Sequence, residues 1–206
     1  MTIAKFLKSV WVRLLQKGTV HTGKNARFDK LYHVSDPWQM ESEREQHRFQ
    51  ETNRVIKEEL GSIGTLLEIG CGEGHQTEYL GRLCEYLYGF DVSKTAVSRA
   101  RQRCPKALLS VADIFSYQPE IEKYDLVAAC EVLYYIKDIP AALERMSKLG
   151  KKCLITYYQS GPCALDPYLN NIENIKTRVI SAGVASWKIV WWDNTGCSIT
   201  PKLGTN

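Results

Sequence analysis

Four carboxylates in this chain stand where apolar runs stop. Glu68 closes a short run just before three alternating glycines, Gly70, Gly72 and Gly74. Asp91 ends the run Tyr86-Leu87-Tyr88-Gly89-Phe90, 21 residues after Gly70. Asp113 follows Ala107 to Ala112, and Glu131 follows Tyr124 to Cys130. Glycines in such a turn permit positive φ and let a ligand lie against bare backbone. An acid at the spacing of Asp91, on the tip of the next strand, can accept hydrogen bonds from ribose hydroxyls. Turn and acid together point to a nucleoside ligand.

The identity of that ligand is narrowed by what does not fit. A dinucleotide fingerprint needs a small third residue, and His75 stands there. The phosphate-loop pattern G-x-x-x-x-G-K-[ST] is absent. The carboxylate of Glu68 would repel a pyrophosphate and favour an ammonium or sulfonium. The stretch Leu67-Glu68-Ile69-Gly70-Cys71-Gly72-Glu73-Gly74 resembles the E-x-G-x-G-x-G motif of class I S-adenosylmethionine-dependent methyltransferases. Their cofactor has no phosphate and carries a cationic sulfur, so charge and resemblance agree.

The elements that must position these residues read as alternating strands and helices, an α/β open sheet. After the first strand and turn, apolar residues at helical spacing (Leu80, Leu83, Cys84, Leu87) predict a helix from His75 to Leu87. Ser93 and Asp138 are N-cap candidates for two further helices, stopped by Pro105 and Gly150. Cys153 to Tyr158 reads as the fifth strand, and Pro167 to Ala182 as a helix. Trp187 to Asp193 and Cys197 to Leu203 read as two strands joined by an Asn-Thr-Gly turn, with the strand tryptophans split between buried and exposed faces. Upstream, Glu41 to Leu60 is a charged helix with Phe49, Thr52, Ile56 and Leu60 as its buried stripe. Met1 to Gly18 reads as an amphipathic basic helix, packed on the domain or a second subunit, forming a flap over the active site, or associating weakly with a membrane surface.

With 206 residues, 44% hydrophobic and 24% charged, the chain fits one globular domain. Residues 1–60 form a helical extension and residues 61–206 the cofactor-binding part. A net charge of +4, spread along the chain, gives no basic patch for nucleic acid. Seven scattered cysteines without C-x-x-C pairs or zinc spacing imply free thiols, a cytoplasmic setting and no metal site. No apolar run reaches transmembrane length.

The resemblance implies a Rossmann-like doubly wound seven-stranded sheet closed by an antiparallel β-hairpin. It places S-adenosylmethionine against Glu68, Gly70, Cys71, Gly72 and Gly74, with the ribose on Asp91 and the adenine between Val92, Asp113 and Ile114. The main chain of Glu131 lines the pocket near the reactive methyl. Candidate bases for the acceptor are Glu131, Tyr135, His33 and His47. Within the superfamily, Asp36-Pro37-Trp38, Leu67 to Gly74 and Glu131-Val132-Leu133-Tyr134-Tyr135-Ile136 resemble the nodulation-type N-methyltransferases, which modify an amino sugar of a chitooligosaccharide. A small-molecule or glycan acceptor is therefore expected. The other readings are O-methylation of another small molecule, an RNA or protein methyltransferase, and a non-catalytic cofactor-binding domain.

Overall fold

A computed structural model describes residues 26–159, 161–170 and 172–194. Its centre is a seven-stranded sheet: β1 (Ile63–Ile69), β2 (Cys84–Asp91), β3 (Leu108–Val111), β4 (Tyr124–Cys130), β5 (Gly150–Tyr158), β6 (Lys176–Ala182) and β7 (Ala185–Asp193). The strand order is β3-β2-β1-β4-β5-β7-β6. The first five strands run parallel, and β7 is antiparallel to both of its neighbours. The chain reverses direction across the sheet between β1 and β4, and the carboxyl ends of these strands open the crevice where ligands of such sheets bind.

The helices are α1 (Ala26–Leu31), α2 (Glu43–Val55), α3 (His75–Leu80), α4 (Lys94–Arg103), α5 (Ile139–Leu149) and the single turn α6 (Asp166–Leu169). Alternate strand residues serve two cores. Leu67, Val127, Ile155 and Val190 pack with α5 residues such as Leu143 and Met146. Leu66, Leu126, Leu154 and Ile189 pack beneath α2 and α4 residues such as Val55 and Val97. Capping follows the side chains: Ser93 Oγ accepts from Ala96 N at 3.2 Å and Asp138 Oδ1 from Ala141 N at 3.0 Å. Phe49, Thr52, Ile56 and Leu60 form the buried stripe of α2 and of the π-type turn that continues it.

Several expectations are corrected. The helix after the glycine turn ends at Leu80, and Cys84 and Leu87 belong to β2. Pro167 to Ala182 is not one helix; only Asp166–Leu169 is helical, and Lys176–Ala182 is a strand. Its β-branched run Thr177, Val179, Ile180 suits a pleated surface, and Ile180 is buried while Val179 is 53% exposed. The closing hairpin is therefore β6–β7, joined by the two residues Gly183-Val184 with Gly183 at φ 62°. Cys197 to Leu203 and Met1 to Gly18 lie outside the described residues. Trp187, Trp191 and Trp192 are all buried, because both faces of β7 are covered. At the outer edge, Arg101 donates from Nε (3.1 Å) and Nη2 (2.6 Å) to the carbonyl of Leu109 on β3. No helix among the described residues is long and apolar enough to cross a membrane.

Candidate functional site

The carboxyl ends of β1, β2 and β4 open into a cavity of about 400 Å³. Glu68, Gly70, Cys71, Gly72, Asp91, Val92, Asp113, Ile114, Glu131 and Tyr135 all line it. Gly74 sits just behind the turn. His33 is exposed and lies outside the lining, so it drops out of the candidate site; His47 is likewise exposed on α2.

The glycines of the turn are required by backbone shape and close packing. Gly70, Gly72 and Gly74 have φ of 73°, 52° and 86°. A Cβ on Gly70 would stand 2.5 Å from Val132 Cγ2, one on Gly72 2.9 Å from Tyr32 Oη, and one on Gly74 3.0 Å from Ala100 Cα. The turn is thus pressed against its own protein on three sides, leaving the cavity side bare.

Asp91 braces that turn. Its Oδ2 accepts from Gly72 N at 3.0 Å and its Oδ1 from Ser93 N at 2.9 Å. Each oxygen keeps lone-pair capacity for an incoming hydroxyl. Burial pushes its pKa up to about 6, against the pull of these amides. Glu68, 1% exposed, accepts from Thr77 Oγ1 at 2.5 Å, and burial raises its pKa to about 7. A buried carboxyl with one neutral partner is poised for a cationic ligand. Asp113 spends its Oδ1 on Phe115 N (2.8 Å) and Ser116 N (3.1 Å), so that carboxylate shapes its loop as well as the cavity wall.

Glu131 follows β4 in a left-handed conformation, φ 57°, unusual for a residue with a side chain. Its amide donates to Thr156 O at 3.0 Å. Its carboxylate accepts from Thr156 Oγ1 at 2.9 Å and from Tyr134 Oη at 3.1 Å. Burial raises its pKa, while Arg48, Thr156 and Tyr134 pull it down. Aromatic rings stand beside it: Tyr135 meets Tyr134 at 4.5 Å, Phe28 at 5.2 Å and Trp38 at 5.5 Å between ring centroids.

Sequence reading missed several lining residues, among them Arg48, Gln76, Tyr32 and Phe28. Arg48 is 1% exposed; it donates from Nε to Glu45 Oε2 at 2.8 Å and from Nη1 to Gln76 Oε1 at 2.9 Å. With its acceptor end so occupied, Gln76 keeps its amide nitrogen buried without a partner. The signal was present: Glu45 and Arg48 fall on the same i, i+3, i+4 stripe of α2 as Phe49 and Thr52. Asp36, Glu73 and His75 bring possible metal-ligand atoms within 4.8 Å of one another. The three also bond within the protein: Met40 N donates to Asp36 Oδ1 at 2.6 Å, Asp36 N to Glu73 at 2.8 Å, Arg99 pairs with Glu73, and Arg103 contacts His75 at 3.0 Å. The bond from Asp36 N to Glu73 fastens the segment between α1 and α2 onto the glycine turn.

A family model described as nodulation protein S matches residues 21–153, well over half of the chain. The chain belongs to the nodulation protein S family. A nodulation protein S of Bradyrhizobium diazoefficiens is 36% identical over 110 residues, 52% of each chain, and one of Sinorhizobium fredii is 34% identical over 112 residues, 52% of this chain and 51% of its own. The chain spans about half the length of the curated relatives it matches. In fold, it is similar to the N-methyltransferase NodS of Bradyrhizobium japonicum, solved in complex with S-adenosyl-L-homocysteine. That likeness has a TM-score of 0.69 at 21% identity and covers 82% of this chain and 97% of that one. The family match takes in every site residue named above except Thr156.

Proposed function

We propose that this protein is an S-adenosylmethionine-dependent methyltransferase that methylates the amine of a small glycan, an amino sugar of a chitooligosaccharide. One observation carries the reading: a single cavity joins the glycine turn and Asp91 to Glu131 and to a cluster of rings, Phe28, Trp38 and Tyr134 packed on Tyr135. The residues present fit the cofactor. Asp91 would hold the ribose, and Val92 and Ile114 would flank the adenine. Glu68 would face the ammonium of the amino-acid tail. The unpartnered Gln76 amide nitrogen, buried in the cavity wall, would donate to its carboxylate.

When bound, S-adenosylmethionine supplies an activated methyl on a cationic sulfur. The chain's part is to align donor and acceptor and to keep water away. Trp38, Tyr134 and Tyr135 offer flat surfaces on which a pyranose ring can stack, and their π faces suit an ammonium. The family relation and the fold likeness support the reading. The six described cysteines are free, which supports a reducing cytosolic setting.

The test is transfer of labelled methyl from S-adenosylmethionine to a panel of acceptors, with chitooligosaccharides carrying a free amine first. Label should appear on the deacetylated sugars and not on their fully acetylated counterparts. Label on hydroxyls of the acetylated sugars would move the acceptor atom from nitrogen to oxygen. Cofactor binding with no turnover on any acceptor would favour a non-catalytic domain.

A further inference from the structure

Arg48 and Glu131 line the same cavity, and no ion pair joins them. Among the described residues the ion pair of Arg48 is with Glu45, and its charge also favours the ionised form of Glu131. Each side is fixed from behind. Arg48 is held by Glu45, Gln76 and the sulfur of Met40. Glu131 is held by the hydroxyls of Thr156 and Tyr134, one on each oxygen. Two hydroxyl contacts leave about half of the carboxylate's acceptor capacity turned to the cavity. Of the other lining acids, Asp113 is engaged by its own loop and Glu73 by Asp36 N and Arg99, while Asp91, on two amides, and Glu68, on Thr77, stand at the glycine-turn end of the cavity. The left-handed backbone of Glu131 is a local cost that persists only where the surroundings impose it, and such residues cluster at working sites.

We propose that Glu131 takes the proton from the acceptor's ammonium group and that Arg48, in the lining of the same cavity, is a positioning residue that keeps Glu131 ionised. This rests on the amine-methylating reading above. The ammonium gives one proton to a Glu131 oxygen, which frees the nitrogen lone pair. That pair forms the new C–N bond as the C–S bond breaks, with the bonding electrons staying on sulfur. The product is a methylammonium and a neutral thioether, and Glu131 returns its proton to solvent. Arg48 makes no contact with the acceptor in this scheme. Thr156 and Tyr134 touch Glu131, and the other titratable groups whose charge bears on it are Arg48 and Glu45 on α2, Tyr135 on the turn after β4, Cys130 on β4, and Cys163. Arg48 is the cation among them. Removing it should make Glu131 harder to ionise.

The experiment follows the pH dependence of kcat/KM on a deacetylated chitooligosaccharide, alongside S-adenosylhomocysteine affinity by calorimetry. Glu131→Gln should lower kcat by about 100-fold or more while homocysteine-product affinity stays within about threefold. Arg48→Met should move the acid limb upward by about one pH unit, and Arg48→Lys should bring it back. Thr156→Val removes one fastener without unpairing Glu45 and should shift the limb the same way by less, so the idea stays testable if Arg48→Met fails to fold. Full activity in Glu131→Gln, or an acid limb unmoved in both Arg48→Met and Thr156→Val, overturns the proposal. A loss of product affinity in Arg48→Lys, with no change in the limb, also overturns it by making Arg48 a cofactor anchor. If the unaltered protein binds cofactor but turns over no amine, the amine-methylating reading fails first.

Discussion

At one end of the cavity Asp91 and Asp113 are tied to backbone amides; at the other Glu131 is tied to side-chain hydroxyls beside a cluster of aromatic rings. Asp91 accepts from Gly72 N and Ser93 N, so its position is as fixed as the main chain that holds it. Glu131 hangs from Thr156 and Tyr134, and the rings that meet at the neighbouring Tyr135 come from three separate segments, at Phe28, Trp38 and Tyr134. The first end is one local turn that any sequence with the right glycines and acid can build. The second is assembled from parts far apart in the chain, so it can change from one relative to another without disturbing the first. Under the proposed function, that division would separate a constant donor site from an adjustable acceptor site.

The sharpest way to break this division is to exchange the effects of mutations at the two ends. Asp91→Ala should weaken S-adenosylhomocysteine affinity by about 100-fold in calorimetry, since it deletes a ligand contact and leaves two amides unpaired. Tyr135→Ala should leave that affinity within about threefold and raise the acceptor KM by about tenfold through lost ring contact. Similar losses of cofactor affinity in both variants would erase the distinction. Next in size, Gly70→Ala should lower stability by about 3 kcal/mol, because its Cβ meets Val132 and its φ is positive. Gly61→Ala, with φ 70° but nothing within 4 Å, should cost about 1 kcal/mol. Thermal melts should separate the two by several degrees.

A smaller effect comes from protons. Burial holds Glu68 at about 7 and Asp91 at about 6, above the ordinary carboxyl values of an unfolded chain. The folded state therefore binds more protons, and stability contributed by these groups is present below about pH 4 and lost as pH rises towards 7. The melting temperature of the ligand-free protein should fall over this window, and Asp91→Asn should flatten part of the fall. A cationic ligand reverses the balance, so binding near pH 6.5 should release protons, measured by calorimetry in buffers of different ionisation enthalpy. No release would mean that neither carboxyl meets a cation. Smallest of all, His33→Ala should change neither turnover nor product affinity, since His33 is exposed and outside the cavity.

The same division governs what could be read from the residues alone. The glycine turn, the strand-end acids and the N-caps at Ser93 and Asp138 are local, and the structure places them as their neighbours in sequence dictate. Leu169, Ile172 and Ile175 step by three and imitate a helix, which hid the two-residue alternation of Lys176–Ala182. The tryptophans of β7 are buried on both faces because helices cover both sides of the sheet, a fact of tertiary assembly. Arg48 and Gln76 meet across 28 positions of sequence, and only the stripe of α2 hinted that Arg48 points inward.

The grip of Arg101 on Leu109 reaches beyond the site. A four-residue border strand with an idle carbonyl invites a stray chain to zip on and seed fibrils. Here that carbonyl is already taken twice by a guanidinium, and a newcomer would have to evict a cation to register against it. The charge that secures the rim of the nucleoside half thus acts as a guard against runaway stacking, and its loss should surface in shelf life and turbidity sooner than in catalysis.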